Sequence, residues 1–442
     1  MITVMRMLAR GGSRRERVRG RLMASGAALA TFLLCAAVTL LTVGAQAPDE
    51  RLGAFATPDD RALTALALAL LVVPTVAFGH QVSRLATATR ERRLAALRLA
   101  GATPREVRLL GAYDSGRWTL LGGLAGAALY LLVDLALSRA LEGAVPLIPP
   151  VWALVILAAV TLGGTLSGLM AGRHVVTSPL GVVRRARPAG PRGLDLVLAA
   201  LGTALFAAGF LARGRFPGGP YATALAITAG AVALLFGLVL GTAWLIRAAA
   251  RRAGRRTEVA ETLLAARIVE ADPRGWARAL SVVGLTVFFG SVVGAQQGVI
   301  IVQGGLSDFA LAYLLVDLAL LIALTTSAAA LVVHQAEDLL EHRHSFAALA
   351  AAGTPGPALG RVLTRQALIA ALPVCAVAAV AGTALIVLTL PDVYLQAPGA
   401  LAYAAGRATL MAGIGVLAAT LVARAARPIL RRALRPEGLR EE

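Results

Sequence analysis

Residues 90–110 read RERRLAALRLAGATPREVRLL, and this stretch decides how the chain is folded. Arg90, Arg92, Arg93, Arg98, Arg105 and Arg108 make it strongly basic, while Leu94, Leu97, Val107 and Leu110 recur at helical spacing on one face. Gly101, Ala102, Thr103 and Pro104 interrupt that face, so the segment predicts two short helices joined by a turn. On either side lie apolar runs long enough to cross a bilayer, 62–82 before it and 117–138 after it. A cationic helix-turn-helix held between two spans belongs on the cytoplasmic side of a membrane. A weaker copy, HSFAALAAAGTPGPALGRVL at 344–363, keeps the order Ala-Ala-Leu, Ala-Gly, Thr-Pro with fewer charges.

Working outward, further apolar runs fall at 22–45, 150–172, 194–212, 222–247, 279–302, 309–333, 367–390 and 402–424. Each has roughly 20 residues, enough for a helix to cross about 30 Å of hydrocarbon. Ala45-Gln46-Ala47 resembles a signal-peptidase site, but the run before it is longer than a signal h-region, so the first span is expected to be retained. Ten spans put both termini on one side. Segments 1–21, 83–116, 173–193, 248–278, 334–366 and 425–442 hold most of the arginines, which makes that side cytoplasmic. Trp118, Trp244 and Trp276 then fall near the inner interface, and Trp152, Tyr221, Tyr394 and Tyr403 near the outer one. The longest outer connection is 46–61, so no sizeable extracytoplasmic domain is expected.

The composition agrees with a bilayer as solvent. Of 442 residues 58% are hydrophobic and 15% charged, with mean hydropathy +0.75. The net charge of +19 is carried by 43 arginines without a single lysine. These arginines cluster beside apolar runs, which favours topology signals and anionic lipid headgroups over nucleic acid. A phosphate-cradling loop needs a lysine after its glycines, so this chain is not itself a conventional ATPase and needs no cofactor of its own. Cys35 and Cys375 lie within apolar runs and read as buried thiols.

The repeat extends beyond the two elbows. Spans 2 and 8 end in His80-Gln81 and His334-Gln335, and Leu8-Ala9-Arg10 with Arg21 is matched by Ala265-Ala266-Arg267 with Arg278. Spans 1–4 therefore pair with spans 7–10, and because six spans separate equivalents the halves run parallel. The expected organisation is 1–61 (N-terminal segment and span 1), 62–172 (spans 2–4), 173–257 (linker and spans 5–6), 258–312 (amphipathic segment and span 7), 313–424 (spans 8–10) and a tail at 425–442. The fold class is an all-α polytopic membrane protein.

The elbow RRLAALRLAGATPREVRLL, placed between the first and second spans of a three-span unit, resembles the FtsX-like (MacB-type) permease family of ABC transporters. The resemblance covers 62–172 and, more weakly, 313–424, and ten spans with two such units are closest to the BceB-like branch. That branch carries a large outer domain between spans 7 and 8, where this chain has only 303–308. The resemblance implies a separate cytoplasmic ATPase, two copies per permease chain, which binds ATP and Mg and docks on 86–112 and 338–362. It further implies a bacterial cytoplasmic membrane and mechanotransmission, in which ATPase closure is relayed through the spans to export or extract an amphipathic antimicrobial, lipid or lipid-linked compound. Other members of the family instead signal to a kinase or activate a cell-wall hydrolase, which would add a regulatory partner.

Arg92, Arg93, Arg98, Arg105 and Glu106 are the expected first ATPase contact, with Gly101 supplying the turn; His344, Gly353 and Arg361 are their counterparts in the second copy. A basic helix lying on headgroups is the bland alternative. Asp134 and Asp317, acids within spans 3 and 8, should face protein or water, as substrate-facing or bundle-bonded groups; a third function class, an ion-coupled secondary transporter, would use them. Gln296 and Gln297 are cavity lining or interhelical glue. Gly164, Gly168 and Gly172 in span 4, and Gly290, Gly294 and Gly298 in span 7, form small-residue stripes for close helix packing. Pro74 and Pro373 are candidate kinks. His342 and His344 form a His-x-His for which the only nearby further ligands are Glu337, Asp338 and Glu341, so no metal site is expected, and no catalytic constellation stands out.

Overall fold

In the computed structural model the described residues are 14–42, 103–140, 148–177, 194–211, 219–304, 306–341 and 343–428, with 65, 68, 72, 75, 79 and 82 as isolated helical positions. Among them regular structure is helical throughout: α1 (Arg14–Thr42), α2 (Pro104–Ala140), α3 (Pro150–Thr177), α4 (Leu194–Leu211), α5 (Gly219–Arg256), α6 (Ala260–Ala271), α7 (Pro273–Val302), α8 (Leu306–Glu341), α9 (Arg343–Ala351), α10 (Gly356–Thr389), α11 (Pro391–Gln396) and α12 (Pro398–Ala425). Among the described residues seven stretches are long and apolar enough to cross a membrane: Glu16–Thr42, Arg108–Ala136, Pro150–Leu169, Ala229–Arg256, Pro273–Val302, Gly356–Thr389 and Pro398–Ala425. Shorter apolar segments lie in α4 and α8, at Ala200–Gly209 and Val316–Ala329. Span 2, expected at 62–82, falls almost wholly outside the described residues; Ala65, Leu68, Thr75 and Val82 within it are buried.

Helix ends overrun the apolar runs that announced them. α2 starts at Pro104 and α10 at Gly356, more than ten residues before the expected spans, and α5 continues through Arg251–Arg256. Hydropathy marks only the stretch that meets hydrocarbon, whereas a helix continues until its backbone is capped or broken. α2 is capped by Thr103 with Pro104 at the first helical position, and α7 by Asp272, whose carboxylate accepts from Gly275 N at 2.9 Å ahead of Pro273.

The chain divides into two compact units, one of residues 1–188 with 308–326 and the other of 189–307 with 327–442. Residues 308–326 thus group with the N-terminal unit.

In unit 1, α1 and α2 run parallel and in close contact. A Cβ on Gly122 or Gly126 would collide with the carbonyl of Ala24 or Ala28. α3 packs back antiparallel: Gly164 lies against Thr119, and Gly168 against Gly111 and Ser115. Cys35, Tyr130, Ile148 and Ile156 close the opposite end.

Unit 2 is built around α7, whose apolar window is 78% buried. α10 runs parallel to it, with Gly284 meeting Val374 and Gly382 meeting the carbonyl of Phe288. α12 returns antiparallel, so that Gly294 and Gly298 rest on Arg407 and Ala400, and Gly415 on Val287. α4 and α5 form a tight hairpin where Gly202 meets Leu234 and Gly230 meets Phe206, and α5 packs on α7 and α10. The amphipathic α6 lies against α5 and α10, burying Ala265, Ala266 and Val269.

Candidate functional site

The two elbows are described to different extents. Arg92, Arg93, Arg98 and Gly101 lie outside the described residues. Arg105 and Glu106 are exposed in the first turn of α2. Glu106 accepts from Thr103 N at 2.8 Å and from Thr103 Oγ1 at 3.0 Å, while Glu106 N donates to Thr103 Oγ1 at 3.3 Å. This reciprocal arrangement is a capping box, and Thr-Pro-Arg-Glu before an apolar run is its sequence signature. The bond from the Thr103 amide holds the Glu106 carboxyl below its usual range.

The second elbow is described more fully. α9 ends in a Schellman turn: Thr354 N donates to Leu349 O at 3.0 Å and Gly353 N to Ala350 O at 3.0 Å. Gly353 sits at φ 91°, a left-handed conformation that glycine adopts without the steric cost a Cβ would bring. Phe346 anchors the elbow from below, packed with Leu339, Leu359, Leu363 and Ala426. His344 lies in α9.

Arg361 does not stand free at the start of α10. Its Nε donates to Glu261 Oε1 and Oε2 at 2.9 and 3.1 Å, and its Nη2 lies 2.7 Å from Oε1. Arg365 reaches the same carboxylate at 3.3 Å and donates to Thr262 Oγ1 at 2.5 Å. The hydrogen bond from Arg361 is the main cause of a lowered pKa at Glu261. At the other end of α6, Glu270 accepts from Arg251 Nε at 2.9 Å and from Arg267 Nη1 at 3.1 Å, and the Arg251 bond holds its carboxyl below the usual range. α6 is therefore tied to α10 at its first turn and to α5 at its last. Arg427 Nη2 donates to Thr364 Oγ1 at 2.9 Å, joining the end of α12 to the same turn of α10.

The remaining polar residues lie within the units. Asp134 is 4% exposed, with Oδ1 accepting from Tyr130 OH at 3.3 Å and Oδ2 buried without a partner. Tyr130 OH lies 2.6 Å from Thr39 Oγ1, which donates to Cys35 O at 2.9 Å. The i,i+4 spacing of Tyr130 and Asp134 on one helix face was visible in sequence; the Thr39 partner was not. Asp317 is partly buried in α8, where it is engaged. Gln297 is buried and accepts from Tyr403 OH at 3.2 Å, and Gln296 is partly buried. Gly290 is buried in α7, and Gly172 lies in α3. Cys35 and Cys375 are buried free thiols.

These features define the class: an all-α, multi-pass membrane protein whose ion pairs, among the described residues, gather at the arginine-bearing helix ends. No protein-family model, no curated protein and no solved structure matches the chain.

Proposed function

We propose that the chain is the permease subunit of an FtsX-like ABC transporter, in which a separate ATPase, present in two copies, drives ten spans arranged as two parallel repeats. It moves an amphipathic antimicrobial, lipid or lipid-linked compound by mechanotransmission, in a bacterial cytoplasmic membrane with both termini inside.

One observation supports the reading most. α1, α2 and α3 of unit 1 and α7, α10 and α12 of unit 2 are the same kind of trio, a glycine-tight parallel pair with an antiparallel third helix. In both trios the second helix is entered directly behind an Ala-Gly, Thr-Pro elbow. A push on either elbow acts along a long continuous helix, since α2 and α10 have 37 and 34 residues. At the second elbow the push is also passed through Glu261 to α6 and through Glu270 to α5. The test is co-purification of the full chain with a candidate cytoplasmic ABC ATPase, followed by hydrolysis assays. Charge reversal at Arg92 and Arg93 should uncouple hydrolysis from the permease; retained stimulation in that variant would sink the proposal.

The buried, half-bonded carboxyl of Asp134 favours a second reading, an ion-coupled secondary transporter. It requires substrate movement without any ATPase. Signalling to a kinase or hydrolase keeps the ATPase and drops the substrate.

A further inference from the structure

Arg19 of α1 is 4% exposed, an unusual depth for a guanidinium. Its Nη2 donates to Asp114 Oδ2 of α2, and its Nη1 is buried without a hydrogen-bond partner. The same carboxylate serves Arg117, whose Nη2 stands 3.6 Å from Asp114 Oδ1 while its Nε is likewise buried and unpartnered. Two permanent cations thus share one carboxylate, which leaves one positive charge and two N–H donors unanswered among these three groups. The Trp118 indole flanks them, seated against Gly20 with the Arg117 guanidinium carbon 5.3 Å from its ring centre. Beyond this level α1 carries no charge after Arg21, and α2 none between Arg117 and Asp134. The cluster therefore lies where lipid headgroups meet hydrocarbon, the depth that indoles and arginines favour.

We propose that the Arg19, Arg117 and Trp118 cluster binds the phosphate of an anionic phospholipid headgroup, such as phosphatidylglycerol. A phosphodiester carries the single negative charge that balances the excess, and its oxygens accept from guanidinium N–H groups in charge-assisted bonds. A zwitterionic headgroup brings an ammonium or choline cation for which Asp114, already shared, has no capacity left, so the site discriminates by charge. Asp114 competes with the lipid for the same donors. Nothing in this assignment depends on the transporter reading.

The test uses the purified full chain in neutral detergent, titrated with phosphatidylglycerol, phosphatidylcholine or inorganic phosphate and followed by native mass spectrometry and thermal melting. Phosphatidylglycerol should bind saturably and raise the melting temperature, whereas the other two should not. Arg117→Gln should weaken that binding roughly tenfold, the loss of one charge-assisted bond, and Arg252→Gln on the exposed end of α5 should leave it unchanged. Asp114→Asn leaves the buried Arg19 without its counter-ion, so the variant should be less stable without lipid and show a larger rise in melting temperature with phosphatidylglycerol than wild type; a residue that only holds the helices together would give no larger rise. Arg19→Gln is not relied on, since misfolding is expected from its burial. The proposal is overturned if phosphatidylcholine or inorganic phosphate protects equally, or if Asp114→Asn loses the lipid as Arg117→Gln does.

Discussion

Arg361 and Glu261, one hundred residues apart in sequence, form a bidentate pair with contacts of 2.7–3.1 Å. The pair fastens the first turn of α6 to the start of α10. Glu261→Gln should lower the melting temperature modestly, because the pair is solvent-exposed and screened, and the deficit should shrink at high salt. The Glu261 carboxyl has its pKa lowered by Arg361, so its contribution is present above the ordinary value of 4.5 and is lost as pH falls through the lowered value. Melting curves of the two proteins should accordingly converge in acid; a gap that persists there would show that the ion pair is not its cause.

Thr103→Ala removes the cap of α2 and should cost about 1 kcal/mol. Hydrogen exchange should report the loss locally, as faster exchange of the first amides of α2 with the rest of the helix unaffected. Because Thr103 holds the Glu106 carboxyl below its usual range, wild type should show the same fraying only once pH falls below that range.

Glycines along the spans should divide sharply by what they face. Gly122→Val drives a side chain into the Ala24 carbonyl of a parallel helix that cannot recede without losing the contact at Gly126, and should cost ~1–3 kcal/mol in mixed-micelle unfolding. Gly163→Ala, one residue from the packed Gly164, meets nothing within 4 Å and should be neutral or slightly stabilising. Equal sensitivity at both positions would contradict the α1–α2 crossing.

Asp134→Asn keeps the size of the side chain and its bond from Tyr130 while abolishing its charge. ATPase-driven transport should survive it. Loss of substrate movement, together with independence from any ATPase, would assign the chain to ion-coupled transport instead.

Seven of the ten expected spans are helices long and apolar enough to cross a membrane, because such helices announce themselves by length and hydropathy, and α3, α7 and α12 begin or end within a few residues of the runs that predicted them. The amphipathic segment expected from 258 is α6. What stayed hidden was long-range pairing. Nothing in the spelling of Arg361 points to Glu261, since an ion pair between distant residues leaves no periodic trace. Asp114 likewise reads as a charge in a basic loop until α1 brings Arg19 against it. Thr103 and Glu106 were legible in principle, and the arginines around them drew the reading toward a partner surface instead of a cap.

α7 is enclosed by α5, α10 and α12, yet two of these three neighbours are synthesised after it. During translation it must wait in lipid with Ser281, Thr286 and Ser291 uncovered. Each of these hydroxyls donates to a carbonyl of its own helix, at Arg278, Val282 and Val287, so none needs a neighbour to be satisfied. These hydroxyls can enter lipid before their neighbours arrive, and on α7 the polar group left waiting is Gln297, whose partner Tyr403 comes only with α12.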